Sequence, residues 1–132
     1  MENKNKHLEF IQNIIERLSG NSFMIKKWCV AIVSAILVVG AKDKNNTITI
    51  VSLIPITTLW ILDGFYLYKE RLFRMLYKKV SLLKESQIDF DMDTDEFKGY
   101  KNLWISAIFS RTLMFFYFTI YLSMILFIRL LM

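Results

Sequence analysis

A stretch of sixteen uncharged residues, 47–62, constrains the fold of this chain more than any other part of its sequence. Asp63 follows it, and the chain then runs without a helix breaker into the basic segment 69–84. Because an α-helix rises 1.5 Å per residue, residues 47–68 would extend over roughly 33 Å, about the thickness of the hydrocarbon core of a bilayer. The sequence therefore predicts a helix that crosses a membrane at 47–68 and continues into water as a stalk at 69–84.

Two further apolar blocks complete the expected fold class, an all-α membrane protein with three transmembrane helices. Residues 22–41 form the first span, with Lys26 and Lys27 reaching the lipid headgroups, and residues 103–132 form the third. In the third span, Arg111 and Arg129 enclose an uncharged run and lie about 27 Å apart along a helix, close to one bilayer core. Hydrophobic residues make up 55% of the 132-residue chain, and their gathering into such blocks predicts a single membrane domain.

The segments that flank and interrupt the spans have their own patterns. Residues 1–21 place apolar side chains on one helical face, which predicts an amphipathic helix that ends at Ser19-Gly20-Asn21 and packs within the same protein rather than on the membrane surface. The five-residue turn 42–46 makes the first two spans antiparallel neighbours. Pro55 lacks a backbone N–H and predicts a kink in the second span, which we interpret as a packing feature rather than a gate.

Residues 85–102 form an acidic segment between the stalk and the third span, with four aspartates at alternate positions. An EF-hand loop that began at Asp89 would need Gly at its sixth position and Glu at its twelfth, but the chain has Thr94 and Tyr100 there. We therefore expect no metal site, and we interpret the alternation as a short extended piece that packs against the stalk. Its apolar residues are Ile88, Phe90 and Met92.

The distribution of basic residues predicts an orientation. Fourteen of the 17 Lys and Arg residues lie in residues 1–27 and 69–111. The positive-inside rule then places the N-terminus and the stalk in the cytoplasm, and the turn 42–46 and the C-terminus outside. Because flanking basic residues of this kind contact anionic lipid, we attribute the net charge of +5 to the membrane and expect no nucleic-acid partner.

Asp63 is the residue in the spans that most needs a partner, because a lone carboxylate among apolar side chains is costly. Arg111 opens the third span at a similar depth, and an Asp63–Arg111 ion pair, with Glu70 nearby, would fix how the second and third helices dock. The functional alternative is that Asp63 lines a water-filled path or relays protons.

The stalk also carries a basic stripe, which is either a solvated face near lipid headgroups or a docking strip for an anionic ligand or partner. The stripe consists of Arg71, Arg74 and Lys78.

The sequence contains no arrangement typical of an enzyme. His7 is the only histidine and lies in a polar start that we expect to be mobile, which argues against a His-based triad or a His-rich metal site. The four glycines are isolated, so none forms a phosphate-cradling loop. Cys29 is the only cysteine and predicts a buried, inert thiol. We therefore expect neither catalysis nor a cofactor.

Several strings of the sequence resemble a family of small bacterial membrane proteins associated with mobile elements and antiphage defence loci. They are KHLEFIQ at 6–12, NSF at 21–23, LDGFYL at 62–67, ERLFR at 70–74 and DFDMDT at 89–94. The family carries no assigned chemistry, so no residue role follows from the likeness. The resemblance implies a multi-pass protein of the bacterial inner membrane that acts as an effector and damages the membrane when infection is sensed.

These observations lead to two hypotheses. In the first, the protein is a self-associating effector, because three short spans cannot enclose a wide path and a pore would need several copies in a ring. Its cytoplasmic segment, 69–101, would hold the closed state or receive the signal. In the second, it is a non-conducting anchor or adaptor that recruits a soluble partner enzyme through the same segment. A small transporter subunit is a weaker third reading, since only one ionisable residue interrupts the spans.

Overall fold

The computed structural model describes residues 1–44, 46–99 and 103–132, and these residues are all-helical apart from turns and one extended segment. The α-helices are α1 (Glu2–Asp43), α2 (Asn46–Val51), α3 (Leu53–Leu82), α4 (Leu103–Ile108) and α5 (Arg111–Leu131). Two short 3-10 turns lie at Glu85–Gln87 and Asp95–Phe97. The predicted turn 42–46 includes residue 45, and the predicted acidic segment includes residues 100–102, which lie outside the described residues.

Three helical stretches are long and apolar enough to cross a membrane: α1, the combined α2–α3 stretch Asn46–Leu82, and α5. The all-helical class and the presence of three helices that could span a membrane are therefore confirmed. The stalk is also confirmed as a direct continuation of the second candidate span, because α3 runs without interruption to Leu82.

Helix α1 packs antiparallel to α2 and α3, so the first 82 residues form one long helical hairpin. At its open end, Lys4 Nζ donates to the Leu83 carbonyl at 2.9 Å. At its closed end, Gly40 lies so close to Thr49 that a Cβ added to the glycine would stand 3.1 Å from the threonine hydroxyl. Helix α5 then lies against one half of the hairpin, which leaves the other half as a two-helix projection.

We call this projection the arm: residues 2–21 of α1, residues 69–82 of α3, and the segment 83–99. Its core consists of Ile11, Ile15, Leu76 and Val80. Ile88 and Met92 pack against this core, as the alternating pattern predicts. Phe90 differs, because it has a φ of 56° and lies against the rings of His7 and Phe10 on α1 instead of against the stalk. The predicted packing of residues 1–21 within the protein is confirmed.

The predicted end of the first helix at Ser19-Gly20-Asn21 is wrong, because α1 is continuous from Glu2 to Asp43. A glycine in a helix costs only about 1 kcal/mol relative to alanine. Packing on both sides of this point outweighs that cost, since Ile15 and Ile25 are both buried. Gly20 also has no positive φ, so it does not adopt the left-handed conformation that ends many helices.

The predicted single third helix over 103–132 is also wrong, because α4 ends at Ile108 and α5 begins at Arg111. Ser110 is extended between them, with φ −62° and ψ 153°, and its side chain accepts a hydrogen bond from the Leu113 N–H at 3.4 Å. This is an N-cap, which favours a new helix start over continuation. Trp60 of α3 donates from its indole to the Ile108 carbonyl at 3.0 Å and so stabilises the end of α4.

Helices α2 and α3 meet at Ser52, one turn before Pro55, and the helical path continues across it. Ser52 has φ −66° and ψ −15°, its N–H donates to the Ile48 carbonyl at 3.1 Å, and its carbonyl accepts from the Ile56 N–H at 3.3 Å. The irregularity falls where the proline ring removes one hydrogen bond of the ladder. Pro55 itself lies in the first turn of α3, where its missing N–H is not needed.

Candidate functional site

Asp63 lies at the point where the three candidate spans meet, and its side chain is fully buried. From α1, Lys26 Nζ contacts Asp63 Oδ2 at 2.5 Å and the Ser22 hydroxyl donates to Asp63 Oδ1. From α5, the Tyr117 hydroxyl donates to Asp63 Oδ2 at 3.0 Å. Lys26 Nζ also donates to Ser22 Oγ at 3.0 Å. We call these four residues the Asp63 network.

The Asp63 network satisfies a carboxylate that would otherwise be costly to bury. Both oxygens accept hydrogen bonds, and a cation balances the charge. Ser22 and Lys26 are four residues apart on α1, so one face of the helix presents both groups to Asp63. Removing one partner of such a buried pair typically costs about 3–5 kcal/mol, because the other charge is left buried and unpaired. The network therefore fixes how α1, α3 and α5 dock.

The predicted Asp63–Arg111 ion pair is wrong, because Lys26 is the cation on Asp63. Arg111 is exposed at the first residue of α5, and it has no carboxylate partner in the described part of the chain. Sequence reasoning assigned Lys26 to the headgroups and did not select Ser22 or Tyr117. The register of the hairpin could have indicated Lys26: with a turn near residue 44, residue 63 lies opposite residue 25.

The remaining predicted site residues do not form one surface. Glu70 is buried, and its Oε1 accepts two hydrogen bonds from Arg74 of the same helix, from Nε at 2.9 Å and Nη2 at 2.7 Å. Its ion pair therefore lies within α3 and does not link α3 to α5. Arg71 turns to α4, where its Nη1 donates to the Ser106 hydroxyl at 3.3 Å. Lys78 lines a different, shallow apolar groove near the end of α3. The predicted stripe Arg71, Arg74 and Lys78 is thus divided among three environments.

A cavity of about 720 Å³ does bring several of these residues together where the arm meets the spans. Five serine and threonine side chains line it, together with four charged residues. The charged residues are Lys26, Glu70, Arg71 and Arg111. Two of the four are already neutralised, Lys26 by Asp63 and Glu70 by Arg74. Arg71 and Arg111 remain without a carboxylate among the described residues, so this cavity, which we call the cationic pocket, has an excess of positive charge.

His7 is fully buried, which contradicts the expected mobile polar start. Its Nε2 lies 2.9 Å from the Asp91 carbonyl oxygen, and the centroids of the His7 and Phe90 rings are 5.4 Å apart. Three aspartates of the neighbouring segment each accept, through a carboxylate oxygen, a hydrogen bond from the backbone N–H two residues later, as in Asx turns. They are Asp89, Asp91 and Asp93. Among the described residues no group of three His, Cys, Asp or Glu side chains is placed to hold a metal ion. His7 therefore fastens the acidic segment to α1.

In comparisons with protein-family models, with curated proteins and with solved structures, nothing matches this chain. The resemblance to membrane proteins of antiphage defence loci stays a prediction.

Proposed function

We propose that this chain is a small self-associating membrane effector whose spans are held in a closed arrangement by the Asp63 network. The observation that carries the proposal is the position of Asp63, which is buried and bonded at once to α1 and α5. A buried ion pair contributes little net stability when intact but destabilises strongly when one partner is lost. Such a contact suits a switch between two states of the spans, a closed one with the network intact and an open one with it broken. We call this contact the lock.

Self-association is supported by how the interior of one chain is filled. Cys29, Ile56, Tyr117 and Met124 pack into a single core between the spans, and Asp63 is fully buried beside it. Any conducting path would then lie between several copies, arranged with closed symmetry. Exposed hydroxyl residues, Thr58 and Thr119, lie on the outer faces of α3 and α5, and small residues of this kind allow membrane helices to approach closely.

The arm is the part that would receive a signal. Helices α1 and α3 both run from the arm to the Asp63 network without interruption, since α1 begins at Glu2 and α3 ends at Leu82. A displacement of the arm would therefore reach Ser22, Lys26 and Asp63 through continuous helices. With the basic arm in the cytoplasm, as the positive-inside rule predicts, the protein would sense a cytoplasmic event. The resemblance to membrane proteins of antiphage defence loci implies that the membrane is the inner membrane of a bacterium.

The test needs no knowledge of the trigger, because a broken lock should open by itself. We expect induction of the Asp63→Asn variant to depolarise cells, measured with a membrane-potential dye, while wild type leaves the potential unchanged. Lys27→Met is the matched control, since Lys27 is the neighbouring exposed lysine outside the network. The double variant Lys26→Met/Asp63→Leu should stay closed, because replacing both charges by apolar side chains leaves no unpaired charge.

The outcome that contradicts the proposal is an unchanged potential in Asp63→Asn at wild-type abundance in the membrane fraction. The proposal also fails if the double variant depolarises as strongly as Asp63→Asn, because general loss of packing would then explain both.

A second function, a non-conducting anchor or adaptor, is favoured by one observation. The arm is a folded two-helix unit with its own apolar core, and its α1 part extends over about 30 Å beyond the Asp63 network. Such a unit offers a rigid platform to a soluble enzyme. Co-purification of a soluble protein that depends on the arm, together with an unchanged potential in Asp63→Asn, would favour this function over the first.

A further inference from the structure

The cationic pocket has the chemistry of a phosphate site. Arg71 and Arg111 both line it, and neither is paired with a carboxylate in the described ranges. Guanidinium groups bind phosphate through paired N–H donors, which is why arginine is favoured at such sites. Ser106 and Ser110 add hydroxyls to the lining, and the first turn of the 21-residue helix α5 begins beside it. An anion with one or two negative charges would balance the charge of these two guanidinium groups, which have no carboxylate partner among the described residues.

An apolar groove adjoins this pocket on the side of the spans. The groove has a volume of about 500 Å³ and shares Phe23 and Lys26 with the pocket. Its other walls are formed by Lys27, Val30 and Ala31 of α1 and by Phe116 of α5. Phe23 is 60% exposed, so a hydrophobic surface is left open beside a cationic one. Together the two cavities form one amphiphilic site where the arm ends and the apolar part of α1 begins.

We propose that this site binds one anionic phospholipid, with its phosphate at Arg71 and Arg111 and part of an acyl chain along Val30, Ala31 and Phe116. A free phosphate or nucleotide would satisfy the arginines but would leave the groove uncovered. A neutral lipid would cover the groove but would leave two positive charges unbalanced. The anionic phospholipid satisfies both, and its binding does not depend on the effector function proposed above.

The binding experiment uses the full chain, purified in detergent and titrated with phosphatidylglycerol, phosphatidylcholine or inorganic phosphate, with lipid retention measured by native mass spectrometry. We expect phosphatidylglycerol to be retained preferentially. The variant Arg71→Gln/Arg111→Gln should weaken that retention at least about tenfold, or about 1.4 kcal/mol, since it removes the charge-assisted hydrogen bonds to the phosphate. The matched control is Arg17→Gln/Lys78→Gln, which removes two exposed cations of the arm that do not line the pocket.

A second pair of variants tests the acyl chain independently of the arginines. Ala31→Phe should fill the groove and lower phosphatidylglycerol retention about tenfold, or about 1.4 kcal/mol, because several methylenes of the acyl chain would be kept from burial. Val38→Phe is its control, since Val38 is a 69% exposed residue of the same helix outside the groove. This pair remains informative if the double arginine variant fails to fold.

Three results would overturn the proposal. Equal retention of phosphatidylcholine would indicate an ordinary lipid annulus. Full competition by inorganic phosphate, with no effect of Ala31→Phe, would indicate a site for free anions. Equal loss in Arg71→Gln/Arg111→Gln and in its control would indicate a general charge effect.

Discussion

Gly64 lets the short helix α4 lie directly against α3. It is buried next to Asp63, and a Cβ built at Gly64 would overlap the Ile108 side chain and stand 3.0 Å from the Ile108 Cα. The close atoms include backbone, so rotating one side chain would not relieve the overlap. Any larger residue would push α4 away from α3. The carbonyl of Ile108 is also the acceptor for Trp60, so the same displacement would break that hydrogen bond.

We therefore expect Gly64→Ala to destabilise the protein by about 1–3 kcal/mol, the usual cost of overpacking. Gly20→Ala is the matched control, because Gly20 is also helical and a Cβ there meets nothing within 4 Å. That change should stabilise by up to about 1 kcal/mol through helix propensity. Thermal unfolding of both variants in the same detergent measures the difference. Equal stability of Gly64→Ala and wild type would show that α4 does not rest on Gly64.

At this scale the sequence predicts which residue is unusual but not what it touches. Asp63 stands out because a charge follows sixteen uncharged residues, and it is indeed buried. Its partner could not be found from depth alone, since Lys26 and Arg111 both border spans. The register of the hairpin, which sets residue 25 opposite residue 63, favours Lys26, but which cation turns inward is decided by tertiary packing. Tyr117 gives no sequence signal, because aromatic residues are common in spans.

At the scale of the helices, the N-terminus of α1 is bound by Glu85, a residue far along the chain. Glu85 accepts hydrogen bonds from the backbone N–H of Asn3 at 2.9 Å and of Lys4 at 3.2 Å, and it pairs with the amino group of Met1 at 2.7 Å. A carboxylate there complements the positive end of the helix dipole. The hydrogen bond from the amino group, and then those from the two backbone N–H groups, lower the pKa of Glu85 below its ordinary value of 4.5 despite some desolvation.

The lowered pKa predicts how the arm responds to acid. A carboxylate with a depressed pKa in the folded state contributes stability that is present above its unfolded pKa, and that contribution is lost as the pH falls through the folded pKa. Thermal unfolding should therefore show wild type more stable than Glu85→Gln at neutral pH, with the difference shrinking once the pH falls below 4.5 and lost as it passes through the lower pKa of Glu85 in the folded state. Glu9→Gln, at an exposed glutamate of α1, is the control and should differ little from wild type. A difference between wild type and Glu85→Gln that persists in acid would contradict this role.

Long helices could be predicted from hydrophobic runs and spacing, whereas their ends could not. The break at Ser110 follows from an N-cap serine, a signal present in the sequence but outweighed there by the apolar residues on both sides. The continuity of α1 through Gly20 required packing against α3, which no local pattern contains. In the same way, the Glu85 contact joins residues more than 80 positions apart, and only the antiparallel hairpin brings them together.

Across the whole molecule, basic charge and apolar surface are separated along the hairpin. The arm and the cationic pocket hold most of the lysines and arginines, while the closed end near Gly40 and Thr49 is apolar apart from the turn. A bilayer with anionic lipid in its inner leaflet would draw the basic end to that side. The lipid site proposed above lies at the boundary between these two regions, which is consistent with a headgroup at that depth.

This asymmetry predicts an arm in the cytoplasm and a turn outside the cell. The check is cysteine labelling in intact cells, in a Cys29→Ser background that removes the one buried thiol. Lys42→Cys, at the exposed end of α1, should react with a membrane-impermeant maleimide, and Lys78→Cys, in the exposed part of the arm, should react only after the cells are permeabilised. Labelling of Lys78→Cys in intact cells would reverse the orientation and would expose the cationic pocket to the outer leaflet. The proposed cytoplasmic signal would then have no access to the arm, although the contacts of the Asp63 network would be unaffected.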